Sequence, residues 1–526
     1  MKKILSFYFI LLAIGSNAQL PGSLDPSFNS NGKYAYDFGY QDNLQCVAIQ
    51  PNDQKIVSAG TALSAGFAGR LVIVRQNPDG TLDPDFSGDG ILMIEDYTES
   101  YAYACHIGTD GKITVAGTAA DPTYLFSMLV LRFLEDGTPD PSFGVDGVAR
   151  YEISPLDDFA YNMVIQEDGK IVLAGTAQDE SYRNVPTIVR LLSDGSLDMD
   201  FGTDGVAQVQ VAEADNKFND VKIDSQGRIV ACGHIGFPLT GTGQFNFDVM
   251  VARFLEDGNT DTSFDGDGKV VTPVSAEHVE SALGLTVHND DKILVAGYTT
   301  LLDFSFDALL IQYDVDGQTD NTFGVSGIQT YDHAIQDVFY DITTDANGKI
   351  LPCGTSGGFF FDDRDFLLMR LLADGTPDPS FANAGMSLES ILTSFDEANA
   401  IVVQADDRIV LAGKTNNGTN NDIGLARYMH TGTDDVKGET LDKVRLFPNP
   451  VCTGHEIQLS GIDHADIESL AIINQLGMTV TEQTPSFNHW NYIQLPELSA
   501  NSQYVLRIKL KNGAVIHQSF LVMNND

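Results

Sequence analysis

The stretch DGTLDPDFSGDG (Asp79–Gly90) sets four aspartates among three glycines, and its reading decides the fold. Asp83, Asp85 and Ser87 stand at alternate positions with Gly88 after them, as at the start of a helix-flanked calcium loop. That loop needs a bidentate Glu at its twelfth position, and Ile94 stands there. The stretch also recurs, and its would-be ligands do not recur with it: the place of Gly88 is taken by Val145, Thr203, Val325 and Asn383. What recurs is Asp-x-x-Phe, as Asp25/Phe28, Asp83/Phe86, Asp140/Phe143, Asp198/Phe201, Asp261/Phe264, Asp320/Phe323 and Asp378/Phe381, with successive phenylalanines 57 to 63 residues apart. The stretch is therefore the punctuation of a repeat. Asp accepts backbone N–H groups in the turn, and Phe is expected to plug the space between units.

Two further phrases keep step. One is KIVSAG and its variants, ending at Gly60, Gly117, Gly175, Gly233, Gly297, Gly354 and Gly413. The other is an apolar run with a central Arg followed by Asp-Gly; its Arg is Arg75, Arg132, Arg190, Arg253, Arg370 and Arg427, with Gln312 in one copy. Each unit holds four short strand patterns, in the third unit GVARYEI, AYNMVIQ, KIVLAGT and TIVRLLS, bounded by Gly, Asp or Pro. None holds a helix-length amphipathic segment. Four antiparallel strands repeated seven times predict an all-β fold, a seven-bladed β-propeller of four-stranded repeats. The segment GKYAYDF (Gly32–Phe38) is expected to dock beside the seventh unit and remove its open edge.

These three phrases in register resemble the delta-60 repeat of large secreted bacterial proteins, over roughly residues 20 to 435. The resemblance implies a repeat-built β structure and no particular reaction.

Composition narrows function. With 30 basic and 73 acidic residues the net charge is −43, which repels phosphate backbones and anionic lipid; no nucleic-acid partner is expected. Lys2 and Lys3, the apolar run Ile4–Ile14 and Ser16-Asn17-Ala18 read as a signal peptide over residues 1–18. No later segment has the length and apolarity of a transmembrane helix. Five cysteines match no metal or disulfide framework; Cys232 and Cys353 stand where other copies have Ala and read as small buried hydrophobes.

The repeat region is taken as residues 19–435, followed by a linker at 436–440 and a second domain at 441–526 whose short alternating strands predict a small β-sandwich. Phe447-Pro448-Asn449-Pro450, the turn ending at Gly477, the strand SxxYVLRI and a terminal apolar strand resemble the C-terminal sorting domain (type A) of the type IX secretion system. That resemblance implies the type IX secretion machinery as a partner and a secreted or outer-membrane-surface location.

No catalytic or metal-binding constellation emerges, and no cofactor is expected. GTSGG (Gly354–Gly358) matches a serine-hydrolase pattern but follows a repeat strand with no helix after it. Specific function is instead expected where units differ, in the loops between the first and second and between the third and fourth strand patterns. The first set carries Asp42, Glu99, Asp157, Asp215, Glu280, Asp337 and Asp396. The second is rich in aromatics, and Phe359, Phe360, Phe361, Asp362, Asp363, Phe245 and Phe247 are the candidate ligand-binding residues. The expected function is a non-catalytic surface or secreted propeller for adhesion or ligand binding, its partner an extracellular glycan or a surface protein. A secreted polysaccharide-acting hydrolase or lyase is the alternative.

Overall fold

The computed structural model describes residues 20–63, 68–209, 215–238, 245–275, 279–300, 305–358, 363–393 and 395–430, and the strand segments of 445–523. The chain divides into two compact units, one spanning Gly22–His430 and the other carrying the C-terminal strands. The described residues are all-β, and no helix among them is long and apolar enough to cross a membrane. The signal-peptide and linker segments lie outside the described residues.

The larger unit repeats a four-stranded antiparallel sheet. The chain enters through β1 (Lys33–Tyr36). Sheets then follow in order: β2–β5 (Asp42–Ile49, Ile56–Leu63, Gly69–Gln76, Ile91–Met93) and β6–β9 (Glu99–Ile107, Ile113–Ala120, Phe126–Phe133, Val148–Tyr151). Next come β10–β13 (Asp158–Ile165, Ile171–Gln178, Asn184–Leu191, Val206–Gln208) and β14–β17 (Lys217–Ile223, Ile229–Pro238, Phe245–Phe254, Lys269–Thr272). The groups β18–β21 (Glu280–Val287, Ile293–Thr300, Phe306–Tyr313, Ile328–Tyr331) and β22–β25 (Gln336–Thr344, Ile350–Gly357, Arg364–Met369, Met386–Glu389) are joined by one parallel pairing, Phe306 with Gln336. The last three strands, β26–β28 (Glu397–Val403, Ile409–Asn416, Asn421–Tyr428), are completed by β1, whose Lys33 to Tyr36 pair with Ala426 to Ile423. The first strands β2, β6, β10, β14, β18, β22 and β26 touch in succession, and β26 returns to β2.

The sheets are offset from the sequence repeat. GVARYEI opens the third unit in sequence, yet its strand β9 is the outer strand of the preceding sheet, paired with β8. Every sheet thus takes its outer edge from the unit after it, and the last sheet takes it from the beginning of the chain.

Close approach explains the invariant glycine of KIVxAG. Each first strand carries a bulge, for example between Ala102 and Ala104, which pushes a backbone carbonyl into the neighbouring strand. A Cβ at Gly117 would lie 1.9 Å from the Tyr101 carbonyl oxygen. Apolar faces of adjacent sheets interleave: Val57 and Ile73 of one pack with Val115 and Leu129 of the next around Phe86. Cys232 and Cys353 are fully buried in these layers, as small hydrophobes.

The C-terminal unit has a three-stranded sheet (Arg445–Phe447, Glu456–Ser460, Tyr492–Gln494) and a five-stranded one in the order Val451–Cys452, Val515–Met523, Ser502–Leu510, Ile467–Ile473, Thr479–Gln483. Tyr504, Leu506 and Ile508 are buried while Lys509 is exposed, the alternation of a strand with one covered face. Phe447 ends the first strand; Pro448, Asn449, Pro450 and Gly477 lie outside the described residues.

Candidate functional site

The repeated polar residues are consumed by the fold. At each Asp-x-x-Phe the three sequence phrases meet: the Arg of one phrase, Gln312 in one copy, and the Lys or Arg of another both reach the Asp. In the second of these turns Arg75 and Lys55 lie 2.6 and 3.1 Å from Asp83, and in the third Arg132 and Lys112 lie 2.7 and 3.0 Å from Asp140. The second oxygen of Asp83 accepts the Asp85 N–H, an Asx turn. Burial alone would raise the Asp83 carboxyl; the bonds from Lys55 and Asp85 and the Arg75 charge hold it below the ordinary range.

The same Arg also bridges sheets. Arg132 donates to the Ser193 carbonyl at 2.6 Å and Arg370 to that of His430 at 2.7 Å, both in the turn of the next unit. Its guanidinium lies over the Phe ring, 4.4 Å away for Arg132 and Phe143. All seven phenylalanines are fully buried. Gly195 sits at φ +86°, and a Cβ there would meet the Phe143 ring at 2.8 Å; the Asp-Gly pair is the seat for the ring of the unit before. The stretch Asp79–Gly90 is thus a joint between sheets. Gln312 bonds Asp320 at 2.9 Å in place of an Arg.

The opposite loops contain a second recurrent position, two residues before the bulge-facing pair of each first strand. It holds Asp42, Ser100, Asp158, Asn216, Glu280, Asp337 and Asp396, all buried. In three units the acid of the first loop set, Glu99, Asp157 or Asp215, stands one residue before this position. The hydrogen bonds show why the position is polar. Asp158 accepts the N–H groups of Ile153 and Ser154, Asp337 those of His333 and Ala334, and Asp396 that of Ile391. Each pins the loop that enters its own strand. Burial pushes Asp158 and Asp396 up to about 6 and Glu280 up to about 8, the last helped by Asp248.

The candidate ligand residues fare differently. Phe359, Phe360, Phe361 and Asp362 lie outside the described residues, as does the side chain of Phe245. Phe247 is half-buried and packs edge-on against His234, ring centroids 4.9 Å apart. Asp363 is exposed just before β24. The sheet β18–β21 stands between these two in the chain order of sheets.

A cleft of about 490 Å³ opens elsewhere on the loop face, lined by Phe38, Tyr40, Ala62, Leu63, Arg70, Met93 and Glu95. It joins the loop from β1 to β2, the end of β3, the start of β4 and the end of β5. Tyr40 is 41% exposed. Arg70 is held by the carbonyls of Tyr97 and Thr98, at 3.2 and 2.8 Å. None of these four polar or aromatic positions recurs in the repeat phrases, and sequence inspection passed over them for the denser aromatic runs.

A ring of first strands, repeated four-stranded sheets and joints of one design define a β-propeller repeat protein. A family model described as "Domain of unknown function (DUF5122) beta-propeller" matches residues 52–86, 108–143, 166–201, 288–323, 346–381 and 404–435. No curated protein matches. Similar solved structures include a protein of unknown function from Dyadobacter fermentans (13% identity, 75% of this chain and 97% of that one, TM-score 0.41). A glucose dehydrogenase (11%, 61% and 95%, 0.38) and an ulvan lyase of a new polysaccharide lyase family (11%, 60% and 81%, 0.33) are also similar. These likenesses carry nothing about activity.

Proposed function

We propose that this chain is an exported, non-catalytic ligand-binding protein of the cell surface or extracellular space, built on a closed seven-bladed propeller. The observation that carries the reading is the division of labour among side chains. Repeated ionic and aromatic residues tie sheet to sheet, whereas the cleft of Phe38, Tyr40, Arg70 and Glu95 is made of residues particular to one place. An aromatic rim beside a fixed Arg and a carboxylate suits a saccharide ring, which stacks on the aromatic face and hydrogen-bonds at its edge. The proposed seventh blade is the sheet that β1 shares with β26–β28, supported by the return contact of β26 to β2. The C-terminal unit is proposed as a β-sandwich sorting domain, read by the type IX secretion machinery after a signal peptide has taken the chain across the inner membrane.

A glycan-array screen of the purified protein tests the binding, with Tyr40→Ala and Arg70→Ala as companions. A hit that both variants lose without a change in melting supports the cleft. Binding unaltered in both places the ligand elsewhere, on the loops around Phe359–Asp363 or Phe245–Phe247. Because Tyr40, Arg70 and Glu95 are also groups able to move protons and neutralise a uronate, a polysaccharide-acting hydrolase or lyase is the second reading; chain cleavage of any hit, read by product analysis, would establish it. Deleting Leu441–Asp526 tests export: the truncated chain should remain in the periplasm, and its normal appearance outside the cell would refute the sorting role.

A further inference from the structure

Where the two ends of the larger unit meet, three carboxylates face one another. Asp37 and Asp42 flank the loop from β1 to β2, and Asp422 is the second residue of β28. One oxygen from each lies within 4.8 Å of the others, about the span of two oxygens on opposite sides of an ion bound at roughly 2.4 Å. We propose that Asp37, Asp42 and Asp422 bind a divalent, oxygen-seeking cation, Ca²⁺, which clasps the N-terminal strand to the final sheet.

Three observations point to an ion there. First, Asp37 accepts from the Gly39 N–H and Asp422 from the Asn417 amide, but no Lys or Arg among the described residues forms an ion pair with any of the three, whereas six of the seven Asp-x-x-Phe aspartates meet an Arg of the apolar phrase. Second, Asp42 is 1% exposed, and its two oxygens are unequal. Oδ2 accepts the Phe38 N–H at 2.7 Å, while Oδ1 is buried with no hydrogen-bond partner; a buried carboxylate oxygen left so is costly. Asp158, Asp337 and Asp396 also leave Oδ1 unpartnered, but among the described residues no third acidic ligand joins them at this spacing. Third, the surroundings supply further oxygen. Asn420 donates to Asp37 Oδ1 at 3.0 Å and to the Tyr40 carbonyl. The Asn417 amide donates to Asn420 Oδ1 at 2.9 Å and fixes that orientation, so the further oxygen nearby is the Tyr40 carbonyl. With no His or Cys in the cluster, soft-metal chemistry is disfavoured and a hard cation fits.

The site exists because the two ends differ from the other joints. Acid pairs recur between sheets, Glu280 beside Asp248 and Asp396 beside Asp365. Among the described residues, the incoming loop adds a third only at the closing joint, Asp37.

The test uses the full chain stripped with EGTA, titrated with CaCl₂ by calorimetry and with Tb³⁺ by luminescence, for which Tyr40 is a nearby sensitiser. One saturable Ca²⁺ equivalent is expected, with Kd on the order of 10⁻⁴–10⁻³ M or tighter, together with a rise in melting temperature. Asp37→Asn, at an exposed position that should not disturb folding, and Asp422→Asn should each weaken binding about tenfold or more and abolish the thermal shift. Glu180→Gln, an exposed acid elsewhere, should change neither. Absence of a saturable equivalent, or a shift undiminished in Asp37→Asn and Asp422→Asn, overturns the proposal. A response to Mg²⁺ equal to that of Ca²⁺ overturns the choice of ion.

Discussion

Asp25→Asn should unfasten the ring at its closing joint. The Asp25 carboxylate is 2% exposed and pairs with two arginines of the final sheet: it accepts a hydrogen bond from Arg427 Nε at 2.8 Å and lies 2.8 Å from Arg427 Nη2 and 2.7 Å from Arg408 Nε. Its other oxygen holds the Ser27 N–H and hydroxyl, which Asn can retain in part. The substitution keeps the volume and removes the charge, so Arg427 is left buried without its counter-ion. Breaking such a pair from one side costs about 3–5 kcal/mol. At roughly 2 cal/mol/K per residue over about 400 residues, the unfolding entropy is near 0.85 kcal/mol/K, and the melting temperature should fall by about 4–6 °C. Asp198→Asn provides the comparison, since Arg190 and Lys170 meet Asp198 in the same geometry within continuous chain. Both should melt lower in a thermal scan followed by circular dichroism. Only Asp25→Asn should also make residues 22–41 accessible to limited proteolysis, because only there does the broken joint free a chain end. A drop below about 1 °C, or identical cleavage of the two variants, would refute the closing-joint reasoning.

Phe143→Ala should cost about 3–5 kcal/mol, measured by denaturant unfolding, since it empties a fully buried seat and removes the ring beneath Arg132. Glu280 is held protonated by burial, with Asp248 facing it and Thr299 bonding one oxygen. Its raised value means the fold binds that proton more tightly than the unfolded chain does, so its contribution is full below the ordinary Glu range and is lost as pH rises through about 8. Melting temperature should therefore fall between pH 5 and 8.5, and less steeply in Glu280→Gln; parallel profiles would count against it. Gln312→Arg should exchange the neutral bond to Asp320 for a charged one and stabilise by about 1–2 kcal/mol, read as a higher urea midpoint.

Repetition made the scaffold legible. Three synchronous phrases in seven copies pointed to sheets, to buried phenylalanines and to a returning N-terminal strand, because a residue required at every joint must appear at every joint. The offset between sequence unit and sheet was not legible: GVARYEI has the same strand pattern whichever sheet it joins. The buried polar position before each bulge was not legible for a related reason: nothing local tells Asp157 from Asp158, or Glu99 from Ser100, as the buried one. The Phe38–Glu95 cleft and the Asp37–Asp42–Asp422 cluster draw on residues far apart in sequence, and no local pattern marks either.

The pairing of β1 with β28 sets a clock on assembly. Lys33 pairs with Ala426, and synthesis at about 5–20 residues per second separates the two by roughly 20–80 s. Throughout that interval the first strand has no edge to join, and the contact that completes the barrier-crossing pays a long loop-closure entropy. A nascent chain in this condition stays unfinished and pliable. For the export proposed above, delayed completion would be an asset: the segment that leads the way is the last to be locked in place.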